Sequence, residues 1–188
     1  MSRDVPMLLS APLVRAVLAG RKTQTRRLGA RWRKVEVGNL LWVRETHAYV
    51  DDLHRGYDLD EPMAVAYRAD MRVGVWGGVP LAATWLPERD TQSYAWDRVK
   101  WRPSIFMPRW ASRITLDVVE VRRERLRAIT VEDAVAEGID MPATVSRPDG
   151  WPGALERFVM LWNAINDKPG KRWADNPEVT VVRFEVLP

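Results

Sequence analysis

Residues 13–27 read Leu-Val-Arg-Ala-Val-Leu-Ala-Gly-Arg-Lys-Thr-Gln-Thr-Arg-Arg, and they join an apolar helix to a basic run. The apolar residues at positions 13, 14, 17 and 18 are spaced for one face of a helix, which Gly20 is suited to end. The run after Gly20 holds one lysine, two threonines and three arginines, and no acidic residue occurs between positions 5 and 35. Such a run is typical either of an anion-binding surface or of a catalytic loop in which a lysine activates a hydroxyl.

The composition excludes several kinds of site. The chain of 188 residues has no cysteine, which rules out disulfides, thiolate metal sites and a cysteine nucleophile. Its two histidines, His47 and His54, stand in no recognisable motif. We therefore expect no metal and no organic cofactor. The length suits a single domain over residues 1–188.

The location and the partners are predicted from charge and apolar runs. No long apolar segment resembles a signal peptide or the ~20 residues of a membrane span. We therefore expect a cytoplasmic protein with no membrane partner. The formal net charge of +4 weakly favours an anionic partner, and the sequence does not determine an oligomeric state.

The pattern of elements predicts an α+β fold. Strands are expected near residues 40–45, 114–121 and 179–186, and a helix near 153–166. Thr130 and Asp133 resemble a capping box for a further helix that Gly138 would end. The preferred architecture is a small, partly closed β-barrel flanked by helices, with a long aromatic-rich insertion at about residues 48–110.

Lys22 and Thr25 are candidates for catalysis. A threonine hydroxyl is a poor nucleophile without a neighbouring base, and a lysine is a base only if burial or other cations lower its pKa. Arg21, Arg26 and Arg27 are cations of that kind. In an extended segment Lys22 would face away from Thr25, so catalytic pairing requires a turn just after Gly20. The other interpretation is a solvated basic loop.

Glu137 and an arginine-rich segment are further candidates. Glu137 falls in the last turn of its predicted helix, where a carboxylate opposes the helix dipole, so its placement hints at function. The segment 101–113 sets Arg102, Arg109 and Arg113 among aromatic residues, including Trp101. Arginine and indole groups stack on nucleobases, although the same tryptophans could simply anchor a loop to the core.

Taken together, these motifs resemble the ASCH domain family, within the wider group of PUA-like barrels. The resemblance rests on Ala19-Gly-Arg-Lys-Thr-Gln-Thr-Arg-Arg27, on Val37-Gly-Asn-Leu-Leu-Trp-Val43 and on Thr130-Val-Glu-Asp-Ala-Val-Ala-Glu-Gly138. Longer stretches around residues 42–45, 67–70, 102–113 and 161–166 look like the larger bacterial and prophage-associated members.

The resemblance implies a function and roles for single residues. Small bacterial members are amidohydrolases that remove the acyl group from N4-acetylcytidine, and their catalytic lysine, threonine and glutamate match Lys22, Thr25 and Glu137. Thr25 would attack the amide carbonyl, Lys22 would accept its proton, and Glu137 would orient Lys22 or activate water. Arg27 or backbone N–H groups would stabilise the oxyanion.

The substrate would then be a small modified nucleoside. We expect Arg21, Arg27, Trp76, Trp101 and Arg102 to contribute to its binding. The aromatics of the insertion are expected to stack on the pyrimidine or to accommodate a larger acyl group. Alanine at Trp76 or Trp101 should then raise KM more than it lowers kcat.

Two alternatives remain open from the sequence. One is an RNA-binding protein or ribonuclease of the ASCH and PUA-like group, which the basic run supports. The other is a phage or prophage accessory protein without a catalytic role, in which the same residues only hold a loop.

Overall fold

The computed structural model describes residues 3–49, 64–75, 100–139 and 153–188. Within these ranges the chain contains α-helices and β-strands in an irregular order, as an α+β fold requires. The helices are α1 (Ala11–Leu18), α2 (Val131–Ala136) and α3 (Ala154–Ile165). The strands are β1 (Asp4–Leu8), β2 (Gln24–Arg27), β3 (Leu40–Arg44), β4 (His47–Tyr49), β5 (Ala64–Tyr67), β6 (Arg72–Val75), β7 (Thr115–Arg125) and β8 (Glu178–Val186).

The strands form a mixed sheet in the order β1-β3-β7-β8-β2 and a smaller sheet in the order β4-β5-β6. β1 runs parallel to β3, with Val5 beside Leu41, whereas β2 is antiparallel to β8. In the smaller sheet, both pairs of neighbours are antiparallel. The predicted α+β class is confirmed, but the strands of the described residues form open sheets and no closed barrel.

Two compact units make up the chain. The first contains residues 1–15, 40–116 and 186–188, and the second contains residues 16–39 and 117–185. The single domain over residues 1–188 and the insertion at about residues 48–110 stay predictions, because much of that insertion lies outside the described residues.

The first unit has a core of its own beside the smaller sheet. Val65 and Tyr67 of β5 pack with Met107 and Ala111, and the half-buried Tyr49 covers them. The Tyr67 hydroxyl donates to the Ala111 carbonyl oxygen at 3.0 Å, so the polar end of this buried ring is satisfied. Ser112 Oγ donates to the Val43 carbonyl oxygen at 2.8 Å, which ties the segment before β7 to β3.

The second unit packs α2 and α3 on the last strand. Its core consists of apolar side chains from both helices, from β8 and from the segments on either side of α2: Leu126, Ile129, Ala134, Ile139, Ala154, Phe158, Trp162, Val179 and Val181. The Trp162 indole nitrogen donates to the Lys171 carbonyl oxygen at 2.8 Å, so this large ring is buried without an unpaired donor. The core supports the end of α2, where the candidate site begins.

The local predictions near this core are confirmed. The Thr130 hydroxyl accepts from the Asp133 amide, and the Asp133 carboxylate accepts from the Thr130 amide, which completes the predicted capping box. Gly20 and Gly138 both have positive φ angles, at +69° and +84°, and each follows a helix. Among the described residues, none of the helices has the length and apolar character needed to cross a bilayer.

Candidate active site

The chain turns sharply after α1, and this turn places Lys22. Gly20, at φ +69°, adopts a left-handed conformation that costs a glycine little. The amides of Arg21 and Lys22 both donate to the Ala16 carbonyl oxygen, at 2.9 and 3.0 Å. The chain therefore turns just after Gly20, and the pairing of Lys22 with Thr25 stays a prediction.

Lys22 is joined to the end of α2 through the backbone. The two residues Lys22 and Glu137 form an isolated antiparallel bridge. Next to it, the Thr23 amide donates to the Ala136 carbonyl oxygen at 2.9 Å, and the Thr23 carbonyl oxygen accepts from the Phe184 amide at 2.9 Å. The basic run is thus held between α2 and β8, and its second half continues as β2.

Gly138 allows this close approach. A Cβ atom at Gly138 would lie 2.9 Å from the Lys22 Cβ and 3.0 Å from the Ala16 Cβ. Both distances are shorter than side-chain carbons tolerate, so only glycine fits between α1 and the basic run without movement. The glycine that ends α2 is therefore also the contact surface for Lys22.

The Lys22 ammonium uses all three of its donors within the protein. Nζ donates to the Gln24 carbonyl oxygen at 2.7 Å, to the Glu137 carbonyl oxygen at 2.9 Å and to Glu137 Oε2 at 3.1 Å. The residue is only 2% exposed. Burial lowers the pKa of Lys22; the charge of Glu137 opposes this, and the nearby guanidinium of Arg27 adds to it. Lys22 therefore gives up its proton more readily than an exposed lysine does.

Glu137 lies at the end of α2, where its carboxylate is buried. Two cations bind this carboxylate, which explains how it is tolerated near the negative end of a helix dipole. Oε2 accepts from Lys22, and Oε1 accepts from Arg26 NH1 at 3.2 Å. The Lys22 ammonium also binds the Glu137 main-chain oxygen, which places a cation at the helix C-terminus.

Arg26 is the residue of this cluster that the sequence did not single out as a site residue. Its guanidinium has no exposed surface and forms ion pairs with three carboxylates. NH2 lies 2.7 Å from Glu124 Oε1 and 2.6 Å from Asp133 Oδ2, whereas NH1 contacts Glu137. Gln24 Nε2 also donates to Asp133, at 2.9 Å. The signal that could have found Arg26 is the pair of acidic side chains, Glu124 and Asp133, that precede Glu137.

Thr25 and Arg27 form a second pair within β2. Arg27 Nε donates to Thr25 Oγ1 at 3.1 Å, as expected for alternate residues on one face of a strand. The Arg27 Cζ lies 5.4 Å from the centre of the Trp32 ring. Burial lowers the pKa of Arg27, with Glu137 opposing the effect and Arg31 adding to it. Arg27 therefore links Thr25 to the charges around Lys22.

The predicted substrate-binding residues lie in different parts of the chain. Arg21 is exposed beside Lys22, and Arg27 contacts Thr25. Trp101 and Arg102 belong to the first unit, where Arg68 lies over the Trp101 ring and Arg102 over the Tyr49 ring. Trp76 lies outside the described residues. The binding roles of all five stay predictions.

A second buried charge cluster occupies the first unit. Arg113 donates to both oxygens of Glu45, at 2.7 and 2.9 Å, and to both oxygens of Asp70, at 2.9 and 3.0 Å. Burial raises the pKa of Glu45, and the hydrogen bonds from Arg113 oppose that rise. Because Arg113 has a two-point contact with each carboxylate, this cluster has the geometry of a structural ion pair. In the described residues, no group of three or more histidine and acidic side chains is arranged to hold a metal ion.

The sequence matches neither a protein-family model nor a curated protein. Among solved structures, the chain is similar to one described as the high-resolution crystal structure of an ASCH domain from Lactobacillus crispatus JV V101. The similarity covers 98% of this chain and 79% of that chain, with 10% sequence identity and a TM-score of 0.45.

Proposed function

We propose that the protein is an amidohydrolase that removes the acyl group from N4-acylated cytosine nucleosides, with Lys22, Thr25 and Glu137 as its catalytic residues. The observation that carries the proposal is the contact of Lys22 Nζ with Glu137 Oε2, at 3.1 Å, in surroundings that lower the pKa of the lysine. The similarity of the Gly-Arg-Lys-Thr-Gln-Thr-Arg-Arg run to ASCH amidohydrolases supports the choice of substrate class.

The first half of the reaction forms an acyl-enzyme. Neutral Lys22 removes the proton from Thr25 Oγ1 as this oxygen attacks the amide carbonyl carbon of the substrate. The tetrahedral intermediate collapses when the C–N bond breaks. The proton held by Lys22 passes to the exocyclic nitrogen, and the cytosine nucleoside leaves.

The second half of the reaction releases the acyl group. A water molecule gives its proton to Lys22 and attacks the threonine ester, with Glu137 holding the lysine in place. Breakage of the ester bond returns the proton to Thr25 and frees a carboxylic acid. The Arg27 guanidinium, which already donates to Thr25 Oγ1, is suited to stabilise the oxyanion in both halves.

The test is hydrolysis of N4-acetylcytidine, followed by chromatography of the cytidine released. We expect turnover by the natural protein and a loss of at least about 10³-fold in kcat/KM for Lys22→Met, since methionine fills the space but has no basic nitrogen. Lys34→Met is the matched control, because Lys34 is exposed in the same unit. No turnover by the natural protein, or equal turnover by Lys22→Met, would contradict the proposal.

RNA binding is the second candidate, and a contact in the first unit favours it. Tyr49 and Trp110 are stacked with ring centres 5.6 Å apart, and the exposed Arg102 lies 4.5 Å above the Tyr49 ring. Aromatic and guanidinium groups of this kind bind single-stranded bases. A protein with this function would bind a labelled single-stranded RNA with an affinity that falls steeply with salt, whereas hydrolysis of a neutral nucleoside would respond weakly.

A further inference from the structure

An alternating series of charges connects Lys22 with the surface of the second unit. Lys22 contacts Glu137, which contacts Arg26, and Arg26 contacts both Glu124 and Asp133. The series then continues outward through one further arginine, one glutamate and a last, exposed arginine: Arg122, Glu120 and Arg183. Because Arg26 and Arg122 each pair with three carboxylates, a change in one member shifts the balance of its neighbours.

Arg26 has the central place in this series. Its planar guanidinium directs NH1 toward Glu137 and directs Nε and NH2 toward Glu124, with NH2 also reaching Asp133. A lysine at this position could not satisfy three carboxylates in such fixed directions, because its ammonium is a single point of charge. The arginine is therefore required for geometry as well as for charge.

We propose that Arg26 is a positioning residue, which holds Glu137 Oε1 so that Oε2 faces Lys22 and thereby sets the pH at which Lys22 becomes a base. The inference rests on the proposed function for its catalytic consequence, but its effect on Lys22 is measurable without substrate. The guanidinium nitrogens of Arg26 are engaged by three carboxylates, so Arg26 would influence the reaction through Glu137 and Lys22 and not by binding the substrate.

The direction of the effect follows from the charges that face Lys22. These are the carboxylate of Glu137 at the end of α2 and the guanidinium groups of Arg26 and Arg27 on β2. With Arg26 present, Glu137 is shared between two buried cations, and the arginine also repels the lysine charge. Without the charge of Arg26, Lys22 would share Glu137 with fewer cations, so its proton would be held more tightly.

The experiment titrates Lys22 directly by NMR of the protein labelled with ¹³C at the lysine ε carbons. The natural chain has five lysines, so the signals are few, and Lys22→Met, made in the natural chain and in each Arg26 variant, assigns the one of interest. We expect the pKa of Lys22 to rise by about one unit in Arg26→Gln and by less in Arg26→Lys, which keeps the charge but loses the planar geometry. Should Arg26→Gln fail to fold, the rise in Arg26→Lys decides alone.

The matched control is Arg183→Gln, which removes the exposed arginine at the far end of the series and should leave the titration of Lys22 unchanged. In assays with N4-acetylcytidine, the rising limb of the pH profile of kcat/KM should move upward in the Arg26 variants by the same amount as the NMR value. A Lys22 titration unchanged in both Arg26 variants would overturn the inference, even if the protein hydrolyses the nucleoside. Absence of hydrolysis with a shifted titration would overturn the proposed function instead.

Discussion

Lys22 and Glu137 are joined at three points, although 115 positions separate them in the sequence. Their main chains form an antiparallel bridge, and the Lys22 ammonium binds both the main-chain oxygen and the side-chain carboxylate of Glu137. The basic run and the end of α2 therefore form one local structure. A change that separates the two backbones should affect the stability of this unit and the basicity of Lys22 together.

Gly138 is the position where this can be tested with the smallest change. Gly138→Ala introduces a Cβ that would lie 2.9 Å from the Lys22 Cβ, at a φ of +84° that disfavours any side chain. We expect the free energy of unfolding, measured by urea denaturation, to fall by about 2–4 kcal/mol from the two effects combined. Gly170→Ala is the control, since Gly170 has a similar φ of +79° but nothing within 4 Å, and it should cost only about 1–2 kcal/mol. Equal losses for the two variants would show that the contact with Lys22 is unimportant.

Thr25 and Thr23 offer a matched pair for the nucleophile. Thr25 is buried and its hydroxyl oxygen accepts a hydrogen bond from Arg27, whereas Thr23 is exposed and forms hydrogen bonds through its main-chain groups. Under the proposed mechanism, Thr25→Ala should lower kcat/KM for N4-acetylcytidine by about 10³-fold or more. Thr23→Ala should change it less than about threefold, because its hydroxyl takes no part in the proposed chemistry. Similar activity in the two variants would argue against Thr25 as the nucleophile.

The buried lysine should also leave a signature in the dependence of stability on pH. Because burial lowers the pKa of Lys22, the unfolded chain keeps this proton at pH values where the folded protein has released it. The free energy of unfolding should therefore rise with pH between the lowered folded value and about 10.5, with a slope of up to about 1.4 kcal/mol per pH unit. Comparison with Lys22→Met isolates this term, since the other titrating groups are shared. Parallel curves for the two proteins would exclude a lowered pKa.

Several helices and strands can be predicted from the sequence alone. The helix before Gly20 and the capping box of Thr130 and Asp133 depend on residues at most ten positions apart, so short-range patterns contain the necessary signal. The closing strand contains four consecutive β-branched residues, 179–182, and such a run favours a strand on local sequence alone. Among candidate site residues, the basic run points to Lys22 and the helix end points to Glu137, the family resemblance pairs them, and the structure brings the two together.

Other features depended on contacts that no local pattern records. The strand β2 has no local strand signal, because its sequence, Gln24 to Arg27, lacks apolar residues. It is buried since Arg26 is neutralised by carboxylates that lie about a hundred positions away. β1 contains Pro6, which lowers the strand preference of a segment, but β1 is the first strand of its sheet and an edge tolerates a missing donor.

The buried pair of Arg113 and Glu45 provides a last prediction, for the first unit. Arg113→Leu removes the cation and leaves the Glu45 carboxylate buried without its partner, which should lower the free energy of unfolding at pH 8 by about 3–5 kcal/mol. Burial already raises the pKa of Glu45, and loss of Arg113 should raise it further. The folded variant would then take up a proton that the unfolded chain does not, so the loss should be smaller at pH 5 than at pH 8.

Arg109→Leu is the control, because Arg109 pairs with Asp4 on the surface and its replacement should cost less than about 1 kcal/mol at either pH. Urea denaturation of both variants at the two pH values tests this, and a loss for Arg113→Leu that does not depend on pH would show that Glu45 stays charged without its partner.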